Sequence, residues 1–131
     1  MKPVTVRAIN ETRTSSPCCK LERKLKKGVA LTECSVQTTE GVKVADVAWC
    51  SKAFIKEYDY ATPYIHAPEN SIEVVSPSNS KVEMRNKVSL YLAAGAIEAW
   101  VVWENGVIDY YDNSGKLEQS SYNISVKIPV V

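Results

Sequence analysis

The alternation of apolar and polar residues predicts a protein built mainly on β-strands. Residues 29–37 (VALTECSVQ) and 42–50 (VKVADVAWC) are rich in β-branched and apolar residues, and the polar, glycine-containing stretch TTEG separates them. This pattern is typical of two antiparallel strands joined by a tight turn. Similar enrichment predicts further strands, in the segments SIEVV, EAWVVW, GVIDYYD, GKLEQSS and NISVKIP.

Helix signals occur in three places between these strands. Ser16 and Pro17 stand where a helix begins and Gly28 where it ends, which predicts a short first helix over SPCCKLERKLKKG. Ser51 is the expected N-cap of a second helical segment, SKAFIKEYD. The prolines and missing periodicity of YATPYIHAPEN predict a loop after it, with His66 at the surface.

The third helix has the clearest boundaries in the sequence. Ser80 and Glu83 stand in the S-x-x-E relation of a capping box, and Gly95 marks the end of the helix. Between these ends Lys87 falls at the edge of one apolar stripe. That stripe consists of Met84, Val88, Tyr91 and Leu92.

The order of elements is therefore α-β-β-(α)-β-α-β, followed by hairpin-rich C-terminal strands. It predicts an α/β or α+β fold with a central mixed sheet flanked by helices. We expect residues 1–14, which are polar and unpatterned, to be a flexible or divergent segment, and residues 15–131 to form a single domain.

Size and composition narrow the class of protein. A chain of 131 residues with 45% hydrophobic residues suits one packed core. No apolar run approaches the roughly 20 residues of a membrane span, and no secretory signal is recognisable, so a cytoplasmic location is expected. The net charge of +1 gives no broad footprint for nucleic acid, although residues 20–27 (KLERKLKK) are locally basic. Such a run is more often a solvated helix face.

The cysteines and the single histidine do not indicate a zinc site. No C-x-x-C spacing occurs, and free thiols in a reducing compartment pack as small apolar side chains. We therefore expect a packing role for Cys18, Cys19, Cys34 and Cys50.

Two carboxylates within apolar strands are the main sign of chemistry. Asp46 and Glu73 both have apolar neighbours, and a carboxylate in such surroundings requires a partner, a hydrogen bond or a cation. If the two strands pair, the acids can converge on a hard divalent cation. Lys87 could reach the same end of the sheet, and two acids, a lysine and Mg²⁺ suit phosphodiester hydrolysis.

The segments ADVAW, IEVVSPS and EMRNKVSLYLAAGAIEAWVVW also resemble the signatures of a known family. They are similar to those of the Uma-type restriction endonucleases, a bacterial family expanded in cyanobacteria, within the PD-(D/E)XK superfamily. The resemblance covers about residues 28–111 and implies a restriction-endonuclease-like α-β-β-β-α-β core. Its most restrictive part is the S-P-S turn between an E-V strand and a K-x-x-x-Y-x-x-x-G helix.

The resemblance implies roles for individual residues. Asp46 and Glu73 correspond to metal ligands, and the backbone carbonyl of Val74 is a further candidate ligand. Lys87 takes the part of the superfamily lysine, whose usual position here holds Val75. Glu33 is a weaker candidate for a supporting acid. The implied cofactor is Mg²⁺, with Mn²⁺ as the alternative, and the implied substrate is DNA.

The predicted function is therefore a metal-dependent DNA endonuclease, with two rivals. One is an inactive nucleic-acid-binding module that keeps the fold. The other is a protein-interaction domain, which could be a homodimer formed through strands of residues 115–129.

Ordinary structural roles are the alternatives for single residues. Glu73 could be a surface carboxylate, and Lys87 could pair with Glu83 along the helix. The strand aromatics are expected in the core rather than as base-stacking platforms: Trp49, Trp100, Trp103, Tyr110 and Tyr111.

Overall fold

The computed structural model describes residues 5–8, 28–121 and 124–127. Within these residues, the strands are β1 (Thr5–Ala8), β2 (Gly28–Thr38), β3 (Gly41–Ser51), β4 (Asn70–Val74), β5 (Glu98–Val102), β6 (Ile108–Asp112), β7 (Gly115–Leu117) and β8 (Ile124–Lys127). The helices are α1 (Lys52–Tyr58) and α2 (Lys81–Ala93). The helix predicted over residues 17–27 lies outside the described residues.

A six-stranded mixed sheet forms the centre of the fold, in the order β2-β3-β4-β5-β6-β7. Neighbouring strands are antiparallel except for β4 and β5, which are parallel. A parallel pair needs a crossover connection, and α2 provides it. The predicted α+β class, with a mixed sheet and helices, is confirmed.

Strand β1 is an element that the sequence did not predict. It pairs antiparallel with β8 in a separate two-stranded sheet, and Thr5 lies opposite Lys127. Four residues are too few to show a period, and the partner strand lies at the other end of the chain. Part of the segment predicted to be unpatterned, residues 1–14, is therefore a strand.

The β2–β3 hairpin turns where the sequence predicted. Gly41 has a φ of +91°, which glycine adopts without steric cost. The hydroxyl of Thr38 donates to the carbonyl oxygen of Gly41 at 2.6 Å and accepts from the backbone N–H of Glu40 at 3.1 Å. This local hydrogen bonding holds the tight turn.

Apolar clusters cover both faces of the sheet. On the helix-covered face, Val36, Ala48, Ala99 and Val101 pack with residues of α1, of α2 and of the loop before β4. The opposite face holds a smaller cluster of Val47, Trp49, Ile72, Val74, Trp100 and Val102. Central strands buried on both faces are apolar at nearly every position, so a charged residue there is exceptional.

Both helices begin at the predicted serine caps. The side chain of Ser51 accepts from the backbone N–H of Phe54, and that of Ser80 accepts from the backbone N–H of Glu83, each at 3.0 Å. These bonds satisfy amides that have no partner inside the first helical turn. Among the described residues, neither helix has the length and apolar character needed to cross a membrane.

His66 is packed, whereas the sequence predicted a surface residue. Its ring stacks on Tyr58 with centroids 5.0 Å apart. A Cβ atom at Gly95 would lie against the His66 ring, so glycine is required where α2 ends. The histidine therefore anchors the loop to both helices.

The two described cysteines have the packing role that the sequence predicted. Cys34 and Cys50 are buried free thiols in the core of the helix-covered face. Burial raises the pKa of Cys34 to about 11 and is the main reason why that of Cys50 rises to about 12. Both thiols therefore stay protonated at neutral pH.

Candidate active site

Glu73 is a buried carboxylate on the helix-covered face of the sheet. All five residues of β4 are buried, and Glu73 is only 4% exposed. Its neighbours Ile72 and Val74 belong to the apolar cluster of the opposite face. Because side chains alternate along a strand, Glu73 points toward α2.

Two side chains of α2 bind this carboxylate. Lys87 Nζ lies 3.2 Å from Glu73 Oε1, and the Tyr91 hydroxyl donates to Glu73 Oε2 at 2.6 Å. Residues four apart on a helix share one face, so Lys87 and Tyr91 reach the same carboxylate together.

The alternative Glu83–Lys87 pair along the helix does not form in this structure. Lys87 turns to Glu73 instead, and the Glu83 carboxylate accepts from Asn79 Nδ2 at 3.1 Å. The alternative of a surface carboxylate at Glu73 is likewise wrong, because its side chain is only 4% exposed.

The turn between β4 and α2 is fixed by its own polar groups. The backbone N–H of Ser76 donates to Asn79 Oδ1, and the backbone N–H of Asn79 donates to the carbonyl oxygen of Ser76, both at 2.9 Å. Ser80 then caps the helix immediately afterwards. The SPSNS stretch thus sets the start of α2, and with it the position of Lys87 above β4.

Asp46 lies where strands β3 and β4 separate. Val47 and Ile72 are the last opposed pair of their ladder, so Asp46 and Glu73 occupy the next position along it. Asp46 Oδ2 accepts from the backbone N–H of Val74 at 2.7 Å. The side chain thus replaces a backbone acceptor at the end of the ladder.

An irregularity in the β2–β3 hairpin occurs at the same level. Leu31 and Cys34 both pack in the core of the helix-covered face, although residues three apart in a regular strand lie on opposite faces. The same is true of their partners in β3, Ala48 and Ala45. Alternation is therefore interrupted in both strands, and Glu33 has a left-handed φ of +50°. Asp46 lies within this irregular part of β3, next to Ala45.

The electrostatics of the site are dominated by burial. Burial raises the pKa of Glu73, and the negative charge of Asp46 acts in the same direction. The hydroxyl of Tyr91 and the ammonium of Lys87 oppose this shift without cancelling it. Burial and the Glu73 charge also raise the pKa of Tyr91, so its phenol stays protonated and donates to the carboxylate.

The donor set is suited to a hard cation. Asp46 and Glu73 offer carboxylate oxygens, the ligand type that Mg²⁺ and Mn²⁺ prefer. The burial of Glu73, to which the charge of Asp46 adds, is only partly offset by Tyr91 and Lys87, so a cation would favour the ionised carboxylate. Within the described part of the chain, no three His, Cys, Asp or Glu side chains cluster for metal binding. A cation here would therefore need backbone oxygens, water or substrate as further ligands.

The structure brings most, but not all, of the sequence candidates together. Asp46 with Val74 and Lys87 with Glu73 form two hydrogen-bonded pairs, which make one group because Glu73 and Val74 are consecutive residues. Val74 enters that group through its N–H, whereas the sequence pointed to its carbonyl. Glu33 is exposed, and among the described residues no hydrogen bond joins its side chain to either acid.

Tyr91 is the member of the group that sequence reasoning missed. It was assigned to the apolar stripe of the helix, where its ring does lie buried. The four-residue spacing from Lys87 was the available signal, because it places the phenol beside the lysine on one face of the helix.

The aromatic residues divide into two groups. Trp49 and Trp100 are buried, as expected, and Trp100 meets Tyr110 edge to face at 4.9 Å. Trp103 and Tyr111, however, are only partly buried.

Comparison with known proteins agrees with this fold. A crystal structure described as "a putative nuclease belonging to DUF820", from Anabaena variabilis ATCC 29413, matches with a TM-score of 0.59 and 17% sequence identity. The match covers 84% of this chain and 60% of that one, so this chain spans less than two thirds of its solved relative. No curated protein matches the chain. A family model with the description "Putative restriction endonuclease" matches residues 12–129, and the chain therefore belongs to the Uma2 family.

Proposed function

We propose that the protein is a metal-dependent DNA endonuclease that uses Mg²⁺, with Mn²⁺ as a substitute. The observation that carries this proposal is the buried Glu73 carboxylate, which meets Lys87 and Tyr91 on one side and the charge of Asp46 on the other. Membership of a family described as restriction endonucleases supports the same reaction class.

Asp46 and Glu73 are the proposed metal ligands, and the carbonyl of Val74 is a third. The Asp46–Val74 hydrogen bond holds the first and last of these residues together. When bound, the metal would activate water and stabilise the charge that develops on the phosphate. Glu73 must be ionised to bind it, and a neighbouring cation favours that form.

Lys87 is proposed to stabilise the negative charge of the scissile phosphate. Its side chain is 24% exposed, so the ammonium can meet both the buried carboxylate and a substrate at the surface. An ammonium beside developing negative charge stabilises a transition state more than a ground state. Tyr91 is a positioning residue, because its hydroxyl fixes Glu73 Oε2 and does not itself reach solvent.

The first test is cleavage of supercoiled plasmid and of single-stranded DNA with Mg²⁺, with Mn²⁺ and with EDTA. We expect metal-dependent nicking that falls at least 100-fold in Asp46→Asn, since this change replaces an anionic ligand by a neutral, weaker one. Asp112→Asn is the matched control. The Asp112 side chain accepts a hydrogen bond from the backbone N–H of Ser114 in a turn, a role that asparagine can also fill. Activity should therefore be unchanged.

Two results would contradict the proposal. Cleavage that continues in EDTA would exclude the metal. If the folded protein neither cleaves DNA nor binds Mn²⁺ in calorimetry, the enzymatic function falls, and a fold retained for nucleic-acid binding becomes the better description.

A further inference from the structure

A groove outside the proposed metal site lies on the same face of the sheet. Its volume is about 570 Å³, and its walls come from the first turns of α2, from β5 and β6, and from the turn between those strands. This size is within the range of small-ligand sites, about 300–1,000 Å³. Its floor is formed by the buried side chains of Met84 and Val101.

The groove concentrates positive charge in a chain of almost zero net charge. Of the described residues, Lys81, Arg85 and Lys116 line it together with a single acid, Asp109. Asp109 already pairs with Lys116 at 3.2 Å. In the described part of the chain, Lys81 and Arg85 have no ion-pair partner, and both are exposed. The two cations are therefore available to an anionic ligand.

Aromatic side chains complete the wall. Trp103 and Tyr111 line the groove and are partly exposed there. The Trp103 indole N–H donates to Asp109 Oδ2 at 2.8 Å, which fixes the orientation of the ring. A fixed aromatic ring beside free cations is the combination by which proteins bind single-stranded nucleic acid, since bases stack and phosphates pair with the cations.

The groove and the Glu73 site occupy the two flanks of α2. Lys87 projects on one side of the buried stripe of that helix, whereas Lys81 and Arg85 project on the other, as helical spacing of 100° per residue requires. Across the sheet, Val101 lies opposite both Glu73 and Asp109. With strands about 4.8 Å apart, the backbones of Glu73 and Asp109 are roughly 10 Å from each other.

We propose that this groove binds a nucleotide of a single-stranded nucleic acid, beyond the point of cleavage. Lys81 and Arg85 contact its phosphates, and Trp103 stacks on its base. The identity of the ligand rests on the proposed endonuclease function. Binding itself involves none of the proposed metal ligands, so it should not require metal.

The test is a fluorescence titration of the full chain in EDTA with a short oligodeoxythymidylate. Trp49 and Trp100 are buried, so a quench by the ligand should report Trp103, and Trp103→Phe should abolish it. The double variant Lys81→Gln, Arg85→Gln should bind about tenfold more weakly. Its slope of log affinity against log salt should fall by about 1.4, or about 0.7 for each phosphate that the variant no longer neutralises.

The matched control is Lys52→Gln, Lys56→Gln on α1, which removes two exposed lysines at the same four-residue spacing. It should bind the oligonucleotide like the wild type. An oligouridylate of equal length distinguishes RNA from DNA as the source of the strand, and Trp103-dependent binding of either supports the proposal.

Two results would overturn the proposal that the groove binds a nucleotide. One is the absence of a Trp103 quench, and the other is unchanged affinity and salt slope in the double variant Lys81→Gln, Arg85→Gln. Glu73→Gln separates the two proposals. If it binds like the wild type, and neither protein cleaves DNA, the endonuclease function fails and the groove stands. If the wild type cleaves but does not quench, the groove fails alone.

Discussion

Two glutamates are buried in neighbouring strands of this sheet, and they have opposite environments. Glu73 in β4 is 4% exposed and Glu98 in β5 is 2% exposed. Glu73 points to the helix-covered face, whereas Glu98 lies on the opposite face, on which Trp100 packs. Accessibility alone does not tell the two residues apart.

The two carboxylates differ in the number of hydrogen-bond donors around them. Glu98 accepts from the Trp100 indole at 2.9 Å, from the hydroxyl of Ser120 at 2.5 Å, and from the hydroxyl and backbone N–H of Ser121 at 2.5 and 3.0 Å. Burial alone would raise the pKa of Glu98, but these bonds together lower it. At Glu73, two donors are too few to offset burial, and its pKa stays raised.

The contrast between these two glutamates shows how a candidate metal ligand can be recognised among buried acids. A carboxylate surrounded by donors is satisfied by the protein and acts as a structural anchor, here for the chain around Ser120 and Ser121. A carboxylate with too few donors to offset its burial, beside a second acid, is a candidate ligand for a cation. Glu73 belongs to the second kind.

The largest difference between the two glutamates should appear in the rate of DNA cleavage when each is replaced by glutamine. Glu73→Gln should lower the cleavage rate at least 100-fold, because a proposed metal ligand loses its charge. Glu98→Gln should stay within about threefold of the wild type, measured at a temperature where circular dichroism shows it folded. Equal loss in both variants would mean that the two acids do not differ in role.

Stability should respond in the reverse order. Glu98→Gln should lower the free energy of unfolding by about 2 kcal/mol, because hydrogen bonds to a charged acceptor are replaced by weaker ones. Glu73→Gln should cost nothing or add up to about 1 kcal/mol, since it removes a poorly compensated buried charge. Urea titrations measure both, and a Glu73→Gln protein less stable than Glu98→Gln would refute the assignment.

Removing one donor from Glu73 should have an intermediate effect on cleavage. Tyr91→Phe keeps the buried ring but deletes the hydroxyl, and partners behind a metal ligand are commonly worth 10-fold to 100-fold. The pKa of Glu73 should rise further, so the acidic limb of the pH–rate profile should move to higher pH. A purely structural tyrosine would lower activity without moving that limb. Tyr110→Phe serves as the control on the other face.

The pH dependence of stability should differ in sign between the two residues. The lowered pKa of Glu98 gives a stabilising contribution above the ordinary glutamate pKa of about 4.3, which is lost as pH falls. The raised pKa of Glu73 gives a stabilising contribution of the opposite kind. It is present below the ordinary glutamate pKa and is lost as the pH rises. From pH 3 to pH 7, the Glu98→Gln protein should therefore become less stable relative to wild type, and the Glu73→Gln protein more stable. Urea titrations at several pH values in that range test this, and parallel curves would contradict it.

Several features of the molecule could be predicted because their causes are local. The serine caps and the hairpin turn each depend on residues within a few positions of one another. The grouping of Glu73 with Lys87 was also predictable, since a short turn joins their elements.

Other features depend on distant residues, which no local pattern reports. The burial of Glu98 is compensated by Ser120 and Ser121, more than 20 positions later in the chain. The partner of β1 lies at the opposite end of the sequence. Tyr91 was missed for another reason, because a phenol in an apolar stripe serves the core with its ring and the site with its hydroxyl.

Because all five residues of β4 are buried, an odd or even position in this strand decides which face of the sheet a side chain packs on. Ser71 and Glu73, at odd positions, face the helix, whereas Asn70, Ile72 and Val74, at even positions, face away from it. Inserting or deleting a single residue ahead of Glu73 would exchange the two sets. The carboxylate would then lie among Trp49 and Trp100, and an isoleucine or valine would lie under Lys87. For evolution this segment therefore tolerates a conservative substitution more readily than a change of length by one residue.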